Sequence, residues 1–268
     1  MDSRPIGVFD SGIGGLTVVK EIMDQLPGES IVYFGDTARV PYGTKSKETV
    51  TRFSFQCIKF LLEQKVKAIV IACNTASASS LDSIIQSFDI PVVGVVEPGA
   101  IAACNVTKAN KIGIIGTEAT VSSGAYEKEI NVINNDVKMV FKACPLFVPI
   151  VEEGWQDTEI ADLTARQYLE ELKGKGIDAL VMACTHYPLL EQTIGRIMGE
   201  EIRLVNPAFE TAKALKELLI SLDIQNQEAA HGAYQFFVSD NPVKFKKVGE
   251  NFLRKPIAHV QKIDIEKY

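Results

Sequence analysis

Cys73 and Cys184 stand in matching settings. Lys67-Ala68-Ile69-Val70-Ile71-Ala72-Cys73-Asn74-Thr75 lines up with Asp178-Ala179-Leu180-Val181-Met182-Ala183-Cys184-Thr185-His186, each an apolar run that ends in Ala-Cys and passes into polar residues. In an open α/β sheet the C-terminal ends of strands line the ligand crevice, and the first turn of the next helix offers free N–H groups and a positive dipole end to an anion. A carboxylate held there would sit between two thiols. For a single cysteine, burial in the core is the commoner reading. The repeated context in both halves turns the balance toward chemistry.

A thiol with a pKa of about 8.5 is only a few per cent thiolate at neutral pH, so each cysteine needs help to act as a base. His186, two residues after Cys184, and Asp10, at the end of the first apolar run, are candidates. A hydrogen-bonded structural histidine and a helix cap at Asp10-Ser11 are the competing roles. Ile6-Gly7-Val8-Phe9-Asp10-Ser11 also matches Ile112-Gly113-Ile114-Ile115-Gly116-Thr117, so each half carries a hydroxyl after its first strand and a cysteine after a later one. If the halves face each other, the cysteines do too.

Cofactor chemistry finds little support. The five cysteines (Cys57, Cys73, Cys104, Cys144, Cys184) show no C-x-x-C spacing, which suits reduced thiols better than disulfides or a zinc site. Asp10-Ser11-Gly12-Ile13-Gly14-Gly15 lacks the G-x-G-x-x-G spacing and the Lys-Ser/Thr ending of nucleotide loops. Its glycines are expected to let backbone approach a small ligand closely. No lysine stands in a setting that marks a Schiff base. His231 and His259 have no chemical setting and read as surface or core residues.

The elements that would position these groups are short apolar runs alternating with helical periods. Strands are expected at Ile6–Asp10, Ser30–Asp36, Ala68–Cys73, Pro91–Val96, Lys111–Thr117, Lys138–Cys144, Ala179–Thr185 and Arg203–Asn206, most of them apolar throughout as in a parallel sheet covered on both faces. Ala165, Tyr168, Leu169 and Leu172 form one helical stripe, and Ala212, Leu215 and Leu219 another. The fold class is α/β, with two pseudo-symmetric lobes, each a mainly parallel sheet flanked by helices, and an active site in the cleft between them. Residues 1–97 plus 207–268 would form the lobe carrying Asp10 and Cys73, and residues 98–206 the lobe carrying Cys184 and His186. The chain would cross at Val95–Gly99, where Pro98-Gly99 punctuates the pattern, and return at Asn206-Pro207. Strands at Tyr234–Val238 and Ile257–Lys262 are assigned to the first lobe.

Bulk properties narrow the class further. The chain has 268 residues, with 28 Lys and Arg against 34 Asp and Glu, a net charge of −6. Hydrophobic residues at 46% and charged ones at 23% exclude disordered and fibrous classes. No basic run exceeds Lys246-Lys247, so no nucleic-acid partner is expected. The apolar runs are strand-sized and the N-terminus lacks a signal pattern, so neither a membrane span nor export is expected, and a cytoplasmic location is.

Five motifs then carry a resemblance. Val8-Phe9-Asp10-Ser11-Gly12-Ile13-Gly14-Gly15-Leu16-Thr17, Gly35-Asp36-Thr37-Ala38-Arg39-Val40-Pro41-Tyr42-Gly43, Ala72-Cys73-Asn74-Thr75-Ala76-Ser77-Ala78, Pro145-Leu146-Phe147-Val148-Pro149-Ile150-Val151-Glu152-Glu153-Gly154 and Cys184-Thr185-His186-Tyr187-Pro188-Leu189-Leu190 resemble, in order, those of the glutamate racemase family. The resemblance implies that Cys73 and Cys184 are the acid/base pair, assisted by Asp10 and His186, with Glu152 a further helper near the second thiol. It implies substrate contacts from Asp10, Ser11, Pro41, Tyr42, Gly43, Asn74, Thr75, Thr117, Thr120, Thr185 and His186. Cys73 would take the proton from D-glutamate and Cys184 from L-glutamate. No metal and no organic cofactor is implied. The expected product is D-glutamate for peptidoglycan precursors in a bacterial cytoplasm, with a homodimer as the candidate assembly. Met182-Ala183 stands where the family often has Leu-Gly, and Asn206 where Asp is frequent; neither is a catalytic position. Aspartate racemase and a non-catalytic amino-acid-binding module of two α/β lobes are the alternatives, and a decarboxylase relative would need only one of the thiols.

Overall fold

Strands and helices alternate along the chain in the computed structural model, which describes residues 2–227 and 232–268; His231 lies outside them. The first half runs β1 (Ile6–Asp10), α1 (Leu16–Gln25), β2 (Ile31–Gly35), α2 (Lys47–Glu63), β3 (Ala68–Ile71), α3 (Asn74–Ser87) and β4 (Val92–Gly94). Next come α4 (Val96–Val106), β5 (Lys111–Gly116), α5 (Glu118–Ser122), α6 (Ala125–Ile133), β6 (Lys138–Ala143), α7 (Phe147–Glu152), α8 (Glu159–Lys173), β7 (Ala179–Ala183), α9 (Glu191–Met198) and β8 (Arg203–Val205). The chain finishes with α10 (Pro207–Ser221), β9 (Tyr234–Val238), α11 (Pro242–Leu253) and β10 (Val260–Lys262).

The strands form two sheets, ordered β10-β9-β2-β1-β3-β4 and β6-β5-β7-β8, with every pairing parallel. The order β2-β1-β3-β4 in one is β6-β5-β7-β8 in the other, so the two sheets share one topology. Register agrees with the sequence echo: Ile6 pairs with Ala68 as Ile112 pairs with Ala179. β1, β2, β3 and β7 are buried along their whole length, which is why they are apolar on both faces rather than alternating. β6 lies at a sheet edge and is the most exposed of the longer strands, in keeping with Lys138 and Lys142 in its sequence.

The expected loop at Pro98-Gly99 is instead the first turn of α4. Proline is tolerated there because the first N–H groups of a helix have no intrahelical acceptor. Likewise Asn206 caps α10, its Oδ1 accepting from Ala208 N at 3.0 Å, with Pro207 opening the helix. Asn caps as well as Asp, so the departure at this position leaves the helix start intact. α10 packs against α4 and α1. An apolar cluster runs from Val8 and Leu16 through Val95, Ala208 and Leu215 to Leu180 and Met182, so the halves share a core. Separate clusters around Phe34 and Ile69, and around Ile114 and Val181, pack the outer faces.

Candidate active site

β3 stops at Ile71, two residues before Cys73, which caps α3. Its Sγ accepts from Ala76 N at 3.4 Å and lies 3.4 Å from Ser11 Oγ. Burial, with Asp10 adding to it, pushes the Cys73 thiol up to about 12, against the opposing pull of the Ser11 hydroxyl and the Ala76 amide. Cys73 is therefore a neutral thiol at working pH.

Cys184 has a different setting. It directly follows β7, and the next element is a short 3-10 turn, Tyr187–Leu190, rather than an α-helix. The expectation of a helix N-terminus behind each thiol thus holds at Cys73 only, because Pro188 and the tight turn interrupt the second copy. In its place stands a side-chain relay. Cys184 Sγ lies 3.9 Å from His186 Nδ1, His186 Nε2 lies 3.3 Å from Glu152 Oε1, and Lys244 Nζ lies 3.8 Å from Glu152 Oε2. The Phe252 ring stands nearly perpendicular to the imidazole, centroids 5.3 Å apart. Burial disfavours a charged His186, but hydrogen bonds to Cys184 and Glu152 outweigh it and raise the ring to about 10. The same bond, against burial, holds Glu152 below the usual carboxylate range.

This pair makes an alkaline prediction. A histidine pKa raised on folding contributes stability that is complete below the unfolded value of about 6.5 and is lost as pH rises through the folded value. In urea titrations, wild type should exceed His186→Gln by about 1–3 kcal/mol at neutral pH. That gap should shrink as pH climbs through about 10. A gap independent of pH would mean that the imidazole is not charged in the fold.

Both thiols open onto one cavity of about 360 Å³. Ser11, Pro41, Tyr42, Gly43, Cys73, Asn74 and Thr75 line it from one lobe, and Thr117, Glu152, Cys184, Thr185 and His186 from the other. Across the floor, Thr75 Oγ1 lies 2.9 Å from Thr117 Oγ1 and 3.2 Å from Thr120 Oγ1, joining the lobes through hydroxyls.

Two expected contacts are not on the wall. Asp10 is fully buried behind Ser11, its Oδ2 accepting from Gly12 N at 2.8 Å. Burial raises its carboxyl above the usual range, opposed first by His186 and then by the Gly12 and Gly15 amides. Thr120 is 2% exposed and meets the cavity only through Thr75 and Thr117. Tyr42 is on the wall, but its hydroxyl is bonded to Asp36.

Close approach of glycine backbone also joins the lobes. A Cβ on Gly14 would lie 2.6 Å from the His186 ring, and one on Gly43 would lie 2.7 Å from Thr117 Cβ. Gly14 and Gly43 thus admit the opposite lobe, while Gly12 and Gly43 also line the cavity.

Residues not singled out from the sequence complete the site. Val40, Val148 and Pro149 give the cavity an apolar side, and Glu118 stands at its edge. Tyr126 Oη donates to Asn74 Oδ1 at 2.8 Å, while Lys244 and Phe252 reach the relay from α11. Val148 and Pro149 lie in a motif already quoted; Tyr126, Lys244 and Phe252 lie in none. His259 is exposed and away from this region. Among the described residues no group of three or more His, Cys, Asp or Glu is placed to hold a metal ion, and no helix is long and apolar enough to cross a membrane.

Fold and site together define a two-lobed α/β protein of internally repeated topology with a thiol from each lobe on a shared cavity. The chain belongs to the Asp/Glu/hydantoin racemase family, whose model matches residues 6–215. It is 52% identical over 266 residues to a glutamate racemase of Geobacter metallireducens, spanning 99% of this chain and 98% of that one. It is also similar to the crystal structure of glutamate racemase from Francisella tularensis in complex with D-glutamate, with a TM-score of 0.94, 42% identity and full coverage of both chains. A Bacillus anthracis glutamate racemase isoform superposes with a TM-score of 0.95 at 40% identity, covering 98% of each chain.

Proposed function

We propose that this chain interconverts L- and D-glutamate without an organic cofactor, by proton transfer between the substrate α-carbon and two cysteines. The observation that carries the reading is the placement of Cys73 and Cys184 at equivalent ends of two like-ordered sheets, both on one cavity. Inverting a carbon needs a base on one face and an acid on the other, and thiols on related lobes supply that pair. The full-length similarity to glutamate racemases, one of them in complex with D-glutamate, favours glutamate over aspartate as substrate.

In the L-to-D direction the Cys184 thiolate takes the α-proton, and the C–H electron pair stays on the α-carbon, delocalised into the α-carboxylate. The Cys73 thiol then delivers its proton to the opposite face. Cys184 ends protonated and Cys73 ends as thiolate, the state that accepts D-glutamate. Two features support this division. Cys73 is held neutral, with its pKa near 12, as an acid must be. Cys184 has His186 beside it, with Nδ1 3.9 Å from the sulfur, as a group that can take up and return its proton.

An α-proton is far less acidic than a thiol, so charge must be stabilised as it develops. The Thr75, Thr117 and Thr185 hydroxyls border the cavity for that purpose, with Thr120 behind them, and the Asn74 amide binds the substrate. Asp10 assists from beneath Ser11, and Glu152 orients His186. Ser11, Pro41, Tyr42 and Gly43 bound the substrate from the first lobe. The lobes taken as acting units are residues 1–97 plus 207–268 and residues 98–206. A cytoplasmic enzyme making D-glutamate for peptidoglycan precursors completes the reading, supported by its bacterial relatives.

NMR of L-glutamate in deuterated buffer, with no added cofactor, tests it. The α-proton signal should disappear as optical rotation decays to zero. Glutamate that binds without exchange would indicate a binding module, and faster exchange on aspartate would move the substrate assignment.

A further inference from the structure

Asn74 opens α3 on the first lobe, yet the group that holds its side chain comes from the second. Tyr126, on α6, donates its hydroxyl to Asn74 Oδ1 at 2.8 Å. Tyr126 is 1% exposed and Asn74 is 4% exposed, so the bond is shielded from water. Gly99 makes room for the hydroxyl, since a Cβ there would lie 3.1 Å from it. Burial pushes the phenol pKa well up, so the group remains a donor at working pH. A carboxamide carries its acceptor and its two donors on opposite ends of one plane. With Oδ1 committed to Tyr126, the Nδ2 donors are the end left for the cavity that Asn74 lines.

We propose that Tyr126 is a positioning residue that locks the Asn74 amide donor-side out, so that it reads the substrate carboxylate nearest Cys73. This rests on the glutamate racemase reading and extends it to a residue that never touches the substrate. Because Asn74 adjoins the thiol that works on the α-carbon, the group read is the α-carboxylate. Without the phenol the amide can turn over, and its oxygen then faces a carboxylate with an unfavourable dipole. The lock spans the two lobes, so it forms only when α6 and α3 are in register.

Tyr126→Phe removes the hydroxyl and leaves the ring. It should raise KM about 10- to 100-fold for both enantiomers, the scale of a lost hydrogen bond to a charged group, with kcat within about twofold of wild type. Asn74→Asp keeps an acceptor for Tyr126 but deletes the donors, and should raise KM at least as much. Adding Tyr126→Phe to Asn74→Asp should change KM no further, because a carboxylate has no donor end left to orient. An unchanged KM in either single variant overturns the proposal. So does a double variant whose KM defect is the product of the two, or a fall in kcat alone, which a merely structural tyrosine would produce. Wild type is assayed first: no α-proton exchange there defeats the glutamate racemase reading, whereas an active wild type with unaffected variants defeats only the role of Tyr126.

Discussion

Cys73→Ser and Cys184→Ser should each lower kcat/KM by about 10²- to 10⁴-fold, the range that a positioned acid or base contributes. The loss must be equal for the two enantiomers, since L- and D-glutamate have the same free energy in water and the ratio of forward to reverse kcat/KM stays at one in every variant. Rates alone therefore cannot say which thiol faces which hand. Isotope effects can. Each thiol reaches the hydrogen on one face of the α-carbon, and serine is a much poorer base than a thiolate. With α-deuterated substrates, Cys73→Ser should raise the primary isotope effect for D-glutamate and Cys184→Ser that for L-glutamate. The same change for both enantiomers in both variants would show that the thiols do not divide the work by face. A one-thiol mechanism would then take precedence.

Replacing His186 by Gln should reduce kcat/KM by about 10- to 100-fold, the worth of a lost charge-assisted hydrogen bond. The effect is expected to be chemically one-sided, because Cys184 lies 3.9 Å from His186 Nδ1 whereas Cys73 lies against the Ser11 hydroxyl and the Ala76 amide. The isotope effect should grow for L-glutamate and stay near the wild-type value for D-glutamate. Glu152→Gln should act in the same direction but less strongly, since it reaches the thiol only through the ring. A larger isotope effect for D-glutamate in His186→Gln would place the imidazole in the service of Cys73 and refute the relay.

The asymmetry behind that prediction was only half legible in the sequence. Matching Ala-Cys strand ends singled out the two thiols that share the cavity, but two like contexts suggested like surroundings. The structure instead caps α3 with Cys73 and leaves Cys184 before a 3-10 turn, so one thiol has a backbone amide and the Ser11 hydroxyl and the other a side-chain relay. His186 and Glu152 could be named from their motifs. Lys244 and Phe252 could not, because α11 lies beyond the matched motifs and reaches the relay only through tertiary packing.

Read by itself, the chain determined the kind and order of its elements, the parallel sheets and the internal duplication. Strands buried on both faces are written as unbroken apolar runs, and a repeated topology repeats its residues in the same register, as Ile6 with Ala68 and Ile112 with Ala179. It also singled out two of five thiols. Only the tertiary structure decided which side chains face the cavity and which stand behind it: Asp10 and Thr120 sit beneath the wall, Tyr42 turns its hydroxyl to Asp36, Tyr126 crosses between lobes to Asn74, and Gly14 yields to His186. Those contacts join residues far apart in the chain, and the choice among partners is made by packing and hydrogen-bond satisfaction in the assembled core, which leaves no periodic trace in the local sequence.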